Sequence, residues 1–372
     1  MNQDALSPAP VNTSPGKRYG PGQRPFQGIP GIESVGRQRL FAAWYSCGAS
    51  DFDHFGEGPT NYVILARSDD GGATWVDPTM VIDPPGDVRA FDPCLWVDPL
   101  GRLWLFWAQS LGFWDGRAGV WAIRCDRPDA RSLCWSPPRR LCNGIMMNKP
   151  TVLGDGTWLL PAAIWQHIEP KPDTSIPFPE LDHERFPNVV ASTDQGETWD
   201  LRGSAEISDR APDEHMVVEL EGGRLWMLIR TRYGIGQSFS DDGGSTWSPG
   251  EDSGLGGPNS RFFIRRLRSG RLLLVNHRMD PEKPRGRRDL EAHLSDNEGH
   301  SWTGGLLLDD RDGVSYPDGT ECDDGRIRII YDRNRKAEGE ILVSTISEQD
   351  ILTASATRAP ARGTVISALG GA

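Results

Sequence analysis

The chain of 372 residues has no run of about 18 apolar residues with which a helix could cross a bilayer. Its start, Met1 to Tyr19, is polar and proline-rich and has no apolar signal region, so a soluble, cytoplasmic protein with no membrane partner is expected. Positive charge is also short. With 40 Lys and Arg against 52 Asp and Glu, the net charge of −12 argues against nucleic acid as a partner, because phosphate binding needs a positive footprint. The six cysteines, Cys47, Cys94, Cys125, Cys134, Cys142 and Cys322, contain no CxxC pair and read as buried free thiols. The seven histidines show no HExxH or other ligand spacing, so neither a catalytic metal nor a cofactor is expected. Long helices are excluded by 43 glycines and 29 prolines. Residues 1–20 and 351–372 lack a hydrophobic period and read as tails on a single domain spanning 21–350. Nothing in the composition sets the oligomeric state.

What the chain does have is tryptophan, 14 in all, and a repeated octet that ends in it. Ser68-Asp-Asp-Gly-Gly-Ala-Thr-Trp75, Ser192-Thr-Asp-Gln-Gly-Glu-Thr-Trp199 and Ser240-Asp-Asp-Gly-Gly-Ser-Thr-Trp247 share the pattern S-x-D-x-G-x-T-W, and Ser295-Asp-Asn-Glu-Gly-His-Ser-Trp302 is a degenerate fourth. These are hairpin turns: the third-position side chain accepts backbone N–H groups, glycine takes the left-handed position, and tryptophan packs beneath. Trp135 stands where a decayed copy would fall, giving a unit of about 50 to 60 residues, the size of a four-stranded propeller blade. Between the turns lie apolar strands headed by Gly-Arg-Leu or a variant, at Gly36, Gly101, Gly156, Gly223, Gly270 and Gly325. Six such strands imply an all-β fold, a six-bladed β-propeller of four-stranded antiparallel blades.

The repeated turn on six blades resembles the BNR, or Asp-box, repeats of the sialidase superfamily, over roughly residues 24 to 347. Three segments between the turns carry the resemblance further. Asp213-Glu-His-Met-Val-Val-Glu-Leu-Glu-Gly-Gly-Arg-Leu-Trp-Met-Leu-Ile-Arg230 looks like the family segment that implies Glu214 and Arg230 as an active-site pair. Arg288-Asp-Leu-Glu-Ala-His-Leu-Ser295 implies Arg288 as a carboxylate-binding arginine, with Arg287 as a neighbouring option. Val314-Ser-Tyr-Pro-Asp318 implies Tyr316 as a nucleophile. The residue types suit an anionic ketoside. A carboxylate nucleophile would be repelled by the sugar's own carboxylate, whereas a neutral phenol is not, and a neighbouring glutamate can draw off its proton. For the separate acid that protonates the leaving oxygen, the loop from Tyr45 to Asn61 offers Asp51, Asp53 and Glu57; alignment with the next strand favours Glu57, with Asp53 close behind.

The resemblance also fails at one place. Where sialidases carry the arginine of an R-I-P segment, this chain reads Phe26-Gln-Gly-Ile-Pro30, which puts Gln27 at the arginine's position and leaves Arg24 or Arg89 to compensate. Asp92, in Asp87-Val-Arg-Ala-Phe-Asp-Pro93, and Asn148 and Lys149, in Met146-Met-Asn-Lys-Pro150, are further candidates for contact with a sugar. The implied activity is that of a retaining sialidase-like glycoside hydrolase removing a terminal anionic sugar, with carbohydrate as the partner. Two alternatives stand beside it: a propeller polysaccharide lyase using His215 or His277 on a uronate, for which Gln27 is suited, and a propeller that binds glycans without turnover. The proline-rich stretch from Trp165 to Asn188 is expected over the pocket or at an interface.

Overall fold

The computed structural model describes residues 5–48, 56–112, 117–166, 178–278, 286–354 and 359–370. Their strands form six antiparallel sheets around one axis, a six-bladed β-propeller. Blade I runs outward from Gln27–Val35 through Arg39–Ser46 and Tyr62–Ser68 to Val76–Ile82, and Val11–Asn12 adds a fifth strand at its rim. Blade II comprises Val88–Val97, Leu103–Leu111, Gly119–Cys125 and Arg139–Asn143. Blade III comprises Thr151–Val152, Trp158–Ala163, Pro187–Ser192 and Asp200–Ser204. Blade IV follows with Met216–Glu219, Leu225–Thr231, Gly234–Ser240 and Glu251–Asp252. Blade V has Phe263–Arg266, Leu272–His277, Leu290–Ser295 and Thr303–Asp309, and blade VI Val314–Glu321, Ile327–Arg333, Glu340–Ile346 and Thr364–Ser367. Each Gly-Arg-Leu-type segment supplies the second strand of a blade. That strand has sheet on both edges and blades on both faces, which is why it reads as a continuous apolar run.

The four octets connect third to fourth strands in blades I, III, IV and V. In blade IV, Thr246 N and Oγ1 donate to Asp242 at 2.9 and 2.6 Å, Gly244 N donates to Ser240 Oγ at 2.9 Å, and Trp247 Nε1 donates to the Gly244 carbonyl at 3.0 Å. Gly244 has φ +93, and a Cβ on its counterpart Gly299 would lie 2.5 Å from the Trp226 ring, so both conformation and space require glycine. Hydrogen bonds from the Thr hydroxyl and amide hold Asp70, Asp194 and Asp242 down to about 2. In the fourth turn Asn297 makes the corresponding bonds without charge.

Two expectations are corrected here. Val11–Asn12 pairs with the outer strand of blade I, and Thr364–Ser367 is itself the outer strand of blade VI, so neither terminal segment is simply a tail and the domain extends past 350. A rim strand has solvent on one edge and needs few apolar residues, so its hydrophobic period is faint. Of the free thiols, Cys134 is exposed and Cys142 half-buried, both at the rim of blade II. No helix among the described residues is long and apolar enough to cross a membrane.

The ring closes between blades VI and I through side chains. Arg24 forks onto Asp77 at 2.5 and 2.8 Å, Ser367 donates to Asp77 at 2.6 Å, and the Gln27 amide donates to the Gly339 carbonyl at 2.7 Å. At the axis every inner strand leaves one edge unpaired, and buried polar side chains take those backbone groups. Lys149 Nζ donates to the carbonyls of Ile32 and Leu95, both at 2.6 Å, and pairs with Glu33 at 3.2 Å and Asp318 at 3.3 Å. Burial alone depresses its pKa, but Asp318 and Glu33 outweigh that and hold it above the usual lysine value. Arg261 Nε donates to Asn148 Oδ1 at 2.6 Å and Nη1 to the Pro30 carbonyl at 3.2 Å. Lys149 and Asn148, candidates for sugar contact by sequence, are therefore ligands of the axial backbone.

Removing the axial cation strands two buried carboxylates, so Lys149→Met is expected to lose about 3 to 5 kcal/mol of stability in urea unfolding; a loss under about 1 kcal/mol contradicts this account. The three turn aspartates sit below their ordinary 3.8. Such groups stabilise fully above the unfolded value and lose that contribution as pH falls through the folded one. Between about pH 5 and pH 2, Asp242→Asn is therefore expected to lose less stability than the wild type, measured as the shift in urea midpoint.

Candidate active site

The inner strands of blades VI, I and II share one device. Each changes register partway, between Ser315 and Asp318, Gly28 and Gly31, and Phe91 and Cys94. At each bulge a non-glycine residue adopts a left-handed conformation, Tyr316 (φ 56), Ile29 (φ 55) and Asp92 (φ 48), and a proline follows it. Proline offers no N–H to the ladder and is tolerated at a bulge, where the extra residue turns a side chain out of the strand's alternation. Each such backbone costs about 1 to 3 kcal/mol and needs support from its surroundings. Ile29 has it in the bond from its amide to Asp332 Oδ2 at 2.8 Å.

Tyr316, Ile29 and Asp92 line one cavity of about 240 Å³, with Tyr45, Glu57, Arg89, Phe91, Trp165, Pro212, Glu214, Arg230, Arg287 and Arg335. A larger cavity, about 440 Å³, opens at the other end of the same strands, but its Arg266 and Arg268 are committed to Glu298 and Asp323.

Tyr316 and Glu214 lie 102 positions apart in sequence, and the ring brings them together. The buried phenol donates to Glu214 Oε1 at 2.6 Å and accepts from Arg230 Nη1 at 2.9 Å, and the same Arg230 nitrogen also reaches Glu214 Oε1. Burial pushes the phenol up to about 12; Arg230 opposes this and the charge on Glu214 adds to it. Glu214 Oε2 has no hydrogen-bond partner among the described residues. From behind, Asn148 Nδ2 donates to the carbonyls of Glu214 and His215 at 3.0 and 2.9 Å, so Asn148 seats the loop that carries the glutamate.

Guanidinium groups surround the phenol. Arg335 lies 4.1 Å and Arg287 5.3 Å from the centre of the Tyr316 ring, and Arg89 packs 3.8 Å from the Phe91 ring. Asp92 is pushed up to about 8 by burial, against the opposing charge of Arg89. At neutral pH it is mostly protonated. With Asp92 mostly neutral, the four arginines Arg89, Arg230, Arg287 and Arg335 outnumber the remaining carboxyl groups, Glu57 and Glu214, in a pocket suited to an anion.

Several candidate residues lie elsewhere. Arg288 points outward, 3.5 Å from Asp289 and 3.6 Å from Asp312, and Arg287 is the pocket residue. Gln27 is fully buried, accepting from Arg24 at 3.0 Å and Trp44 at 3.2 Å, and belongs to the blade seam. His215 and His277 are bonded to the carbonyls of Asn188 and Val314, and burial lowers each to about 4; neither lines the pocket. Glu57 lines it, on a loop held by Asn61, whose Oδ1 accepts from Gly58 N at 2.9 Å and whose Nδ2 donates to the Gly56 carbonyl at 2.8 Å. Asp53 lies outside the described residues. Trp165, the first residue of the proline-rich stretch, forms part of the wall. Arg335 was not singled out by sequence. It follows Ile327–Arg333 in a run of charged residues with no motif, and Gly28, across the seam, is the one trace it leaves.

Residues 38–329 match the family model described as BNR repeat-like domain. Comparison with curated proteins returned no match. Among solved structures the chain is similar to the Hadza microbial sialidase Hz136, at 22% identity and a TM-score of 0.65, over 88% of this chain and 66% of that one, so it spans about two thirds of that protein. It is similar to the intramolecular trans-sialidase from Ruminococcus gnavus at 14% identity and TM-score 0.65, over 89% of this chain and 96% of that one. It is also similar to the alpha-L-arabinanase of Penicillium chrysogenum, at 13% identity and TM-score 0.60, over 90% and 97%. At these identities the structures share a fold. The match over 38–329 shows more: the chain belongs to the BNR repeat-like domain family.

Proposed function

We propose that the protein is a glycoside hydrolase that removes a terminal anionic sugar, sialic acid or a related ulosonic acid, with net retention through a covalent Tyr316 intermediate. The observation that carries this reading is the Tyr316–Glu214 contact, 2.6 Å from phenol to carboxylate, inside a ring of guanidinium groups. A phenol at about 12 is a poor nucleophile alone and needs a base within hydrogen-bond reach. In the first step the phenol oxygen bonds to the anomeric carbon, its proton passes to Glu214, and Glu57 donates a proton to the departing aglycone oxygen. In the second, Glu57 takes a proton from water, the water oxygen bonds to the anomeric carbon, and the released phenolate recovers its proton from Glu214. Arg230 and Arg287 hold the sugar carboxylate, and protonated Asp92 donates to a ring substituent. The similarity to sialidases supports this reading, and the seats of His215 and His277 behind the wall disfavour a lyase.

Turnover of an aryl sialoside, followed by released phenol, tests the proposal. Tyr316→Phe is expected to lose about 10³-fold or more and Glu214→Gln about 10² to 10⁴-fold, with unfolding midpoints near wild type. Full turnover in both variants, or no phenol from the sialoside while a uronate-containing oligosaccharide yields an unsaturated product, overturns it. The pH dependence carries a sign. As Asp92 ionises through about 8, it adds negative charge beside an anionic substrate, so kcat/KM falls on the alkaline side. Asp92→Asn, fixed as neutral, is expected to flatten that limb; an unchanged limb removes Asp92 from the account.

A further inference from the structure

Positions 28 and 335 compete for one space. A Cβ on Gly28 would stand 2.6 Å from Arg335 Cδ and 2.8 Å from its Cγ and Nε. Gly28 is not in the left-handed region, so the backbone makes no demand for glycine there. What does is the Arg335 side chain, which crosses from blade VI over the inner strand of blade I.

Arg335 is held in that place from several sides. Nε donates to Asp332 Oδ2 at 2.8 Å, Nη2 donates to Ser315 Oγ at 3.1 Å, and its carbonyl accepts from Gln27 N at 3.1 Å. Asp332 is fixed in turn by Ser315 Oγ at 2.6 Å and by Ile29 N. The guanidinium stacks on the Tyr316 ring. Two of its nitrogens are thus committed, while Nη1 has no hydrogen-bond partner among the described residues and the side chain lines the cavity. A structural ion pair with Asp332 needs neither the stack nor the open nitrogen.

We propose that Arg335 is a specificity-determining ligand for the carboxylate of the substrate, and that Gly28 is its permissive partner: a side chain at 28 and the guanidinium at this place exclude one another. The inference rests on the reading of the pocket as a site for an anionic sugar. It adds a third cation to Arg230 and Arg287, one that reaches from blade VI across the seam with blade I.

The test measures binding by calorimetry, with 2,3-dehydro-2-deoxy-N-acetylneuraminic acid and its methyl ester as probes. Wild type is expected to prefer the acid. In Arg335→Gln that preference falls by about tenfold or more while ester affinity stays within about twofold. Gly28→Ala removes no charged group, and is expected to lower the preference in the same direction by displacing the guanidinium. The double variant Gly28→Arg with Arg335→Ala, which moves the cation across the seam, is expected to regain part of it. An acid preference that survives both Arg335→Gln and Gly28→Ala, in variants with wild-type unfolding midpoints, overturns the role of Arg335 and leaves the proposed function standing. Equal binding of acid and ester by the wild type overturns both.

Discussion

An inner strand of a propeller has a neighbour on one edge only, and the groups on its other edge must find partners in a space too narrow for another strand. Here buried side chains supply them. Lys149 serves Ile32 and Leu95, Asp318 accepts from Ile32 N, Arg261 serves Pro30, and Asn148 serves Glu214 and His215. An unpaired backbone group in a dry interior costs about 1 to 3 kcal/mol, so this arrangement decides whether six sheets can meet at an axis at all. Its charges are paired in turn, Lys149 with Glu33 and Asp318, so the centre is polar without carrying an isolated ion.

The pocket depends on that centre. Ile29, Asp92 and Tyr316 stand at bulges that would relax if the strands beneath were free to slide, and the bonds to Ile32, Pro30 and Leu95 fix the strands of blades I and II close to those bulges. Strain at the pocket and polar anchorage at the axis are two parts of one construction. The bulges also sort chemistry by blade. Blade VI brings the phenol and Arg335, blade I Glu57, blade II Asp92 and Arg89, and the approach to blade IV Glu214, so groups scattered over nearly the whole chain meet within one cavity.

Sequence showed the fold because the fold repeats. Four octets and six Gly-Arg-Leu strands carry the same physical demands at a regular spacing, and the structure places every one of them as a turn or a second strand. The pocket does not repeat and was only partly legible. Glu214, Arg230 and Tyr316 were readable as segments and meet in space. Arg287 and its neighbour Arg288 were not separable, because which side chain turns inward depends on the path of the chain entering Leu290–Ser295. Gln27, Asn148, Lys149, His215 and His277 have the residue types of a sugar site but satisfy backbone or seam groups, and a sequence does not distinguish a polar atom serving a ligand from one serving a carbonyl. Arg335 was hidden because its partner in space, Gly28, lies 307 positions away.

Each blade is built from strands contiguous in the chain, and the seam between blades VI and I is closed by Arg24, Asp77, Gln27 and Ser367. The pocket straddles that seam. Glu57, Asp92, Glu214 and Arg230 come early in the chain, on or before blade IV, and are synthesised first, whereas the phenol and its stacked guanidinium arrive only with the last blade. A chain still emerging, or one whose ring has sprung open, therefore holds an incomplete set of reactive groups, and completion of the circle is also the moment at which chemistry becomes available.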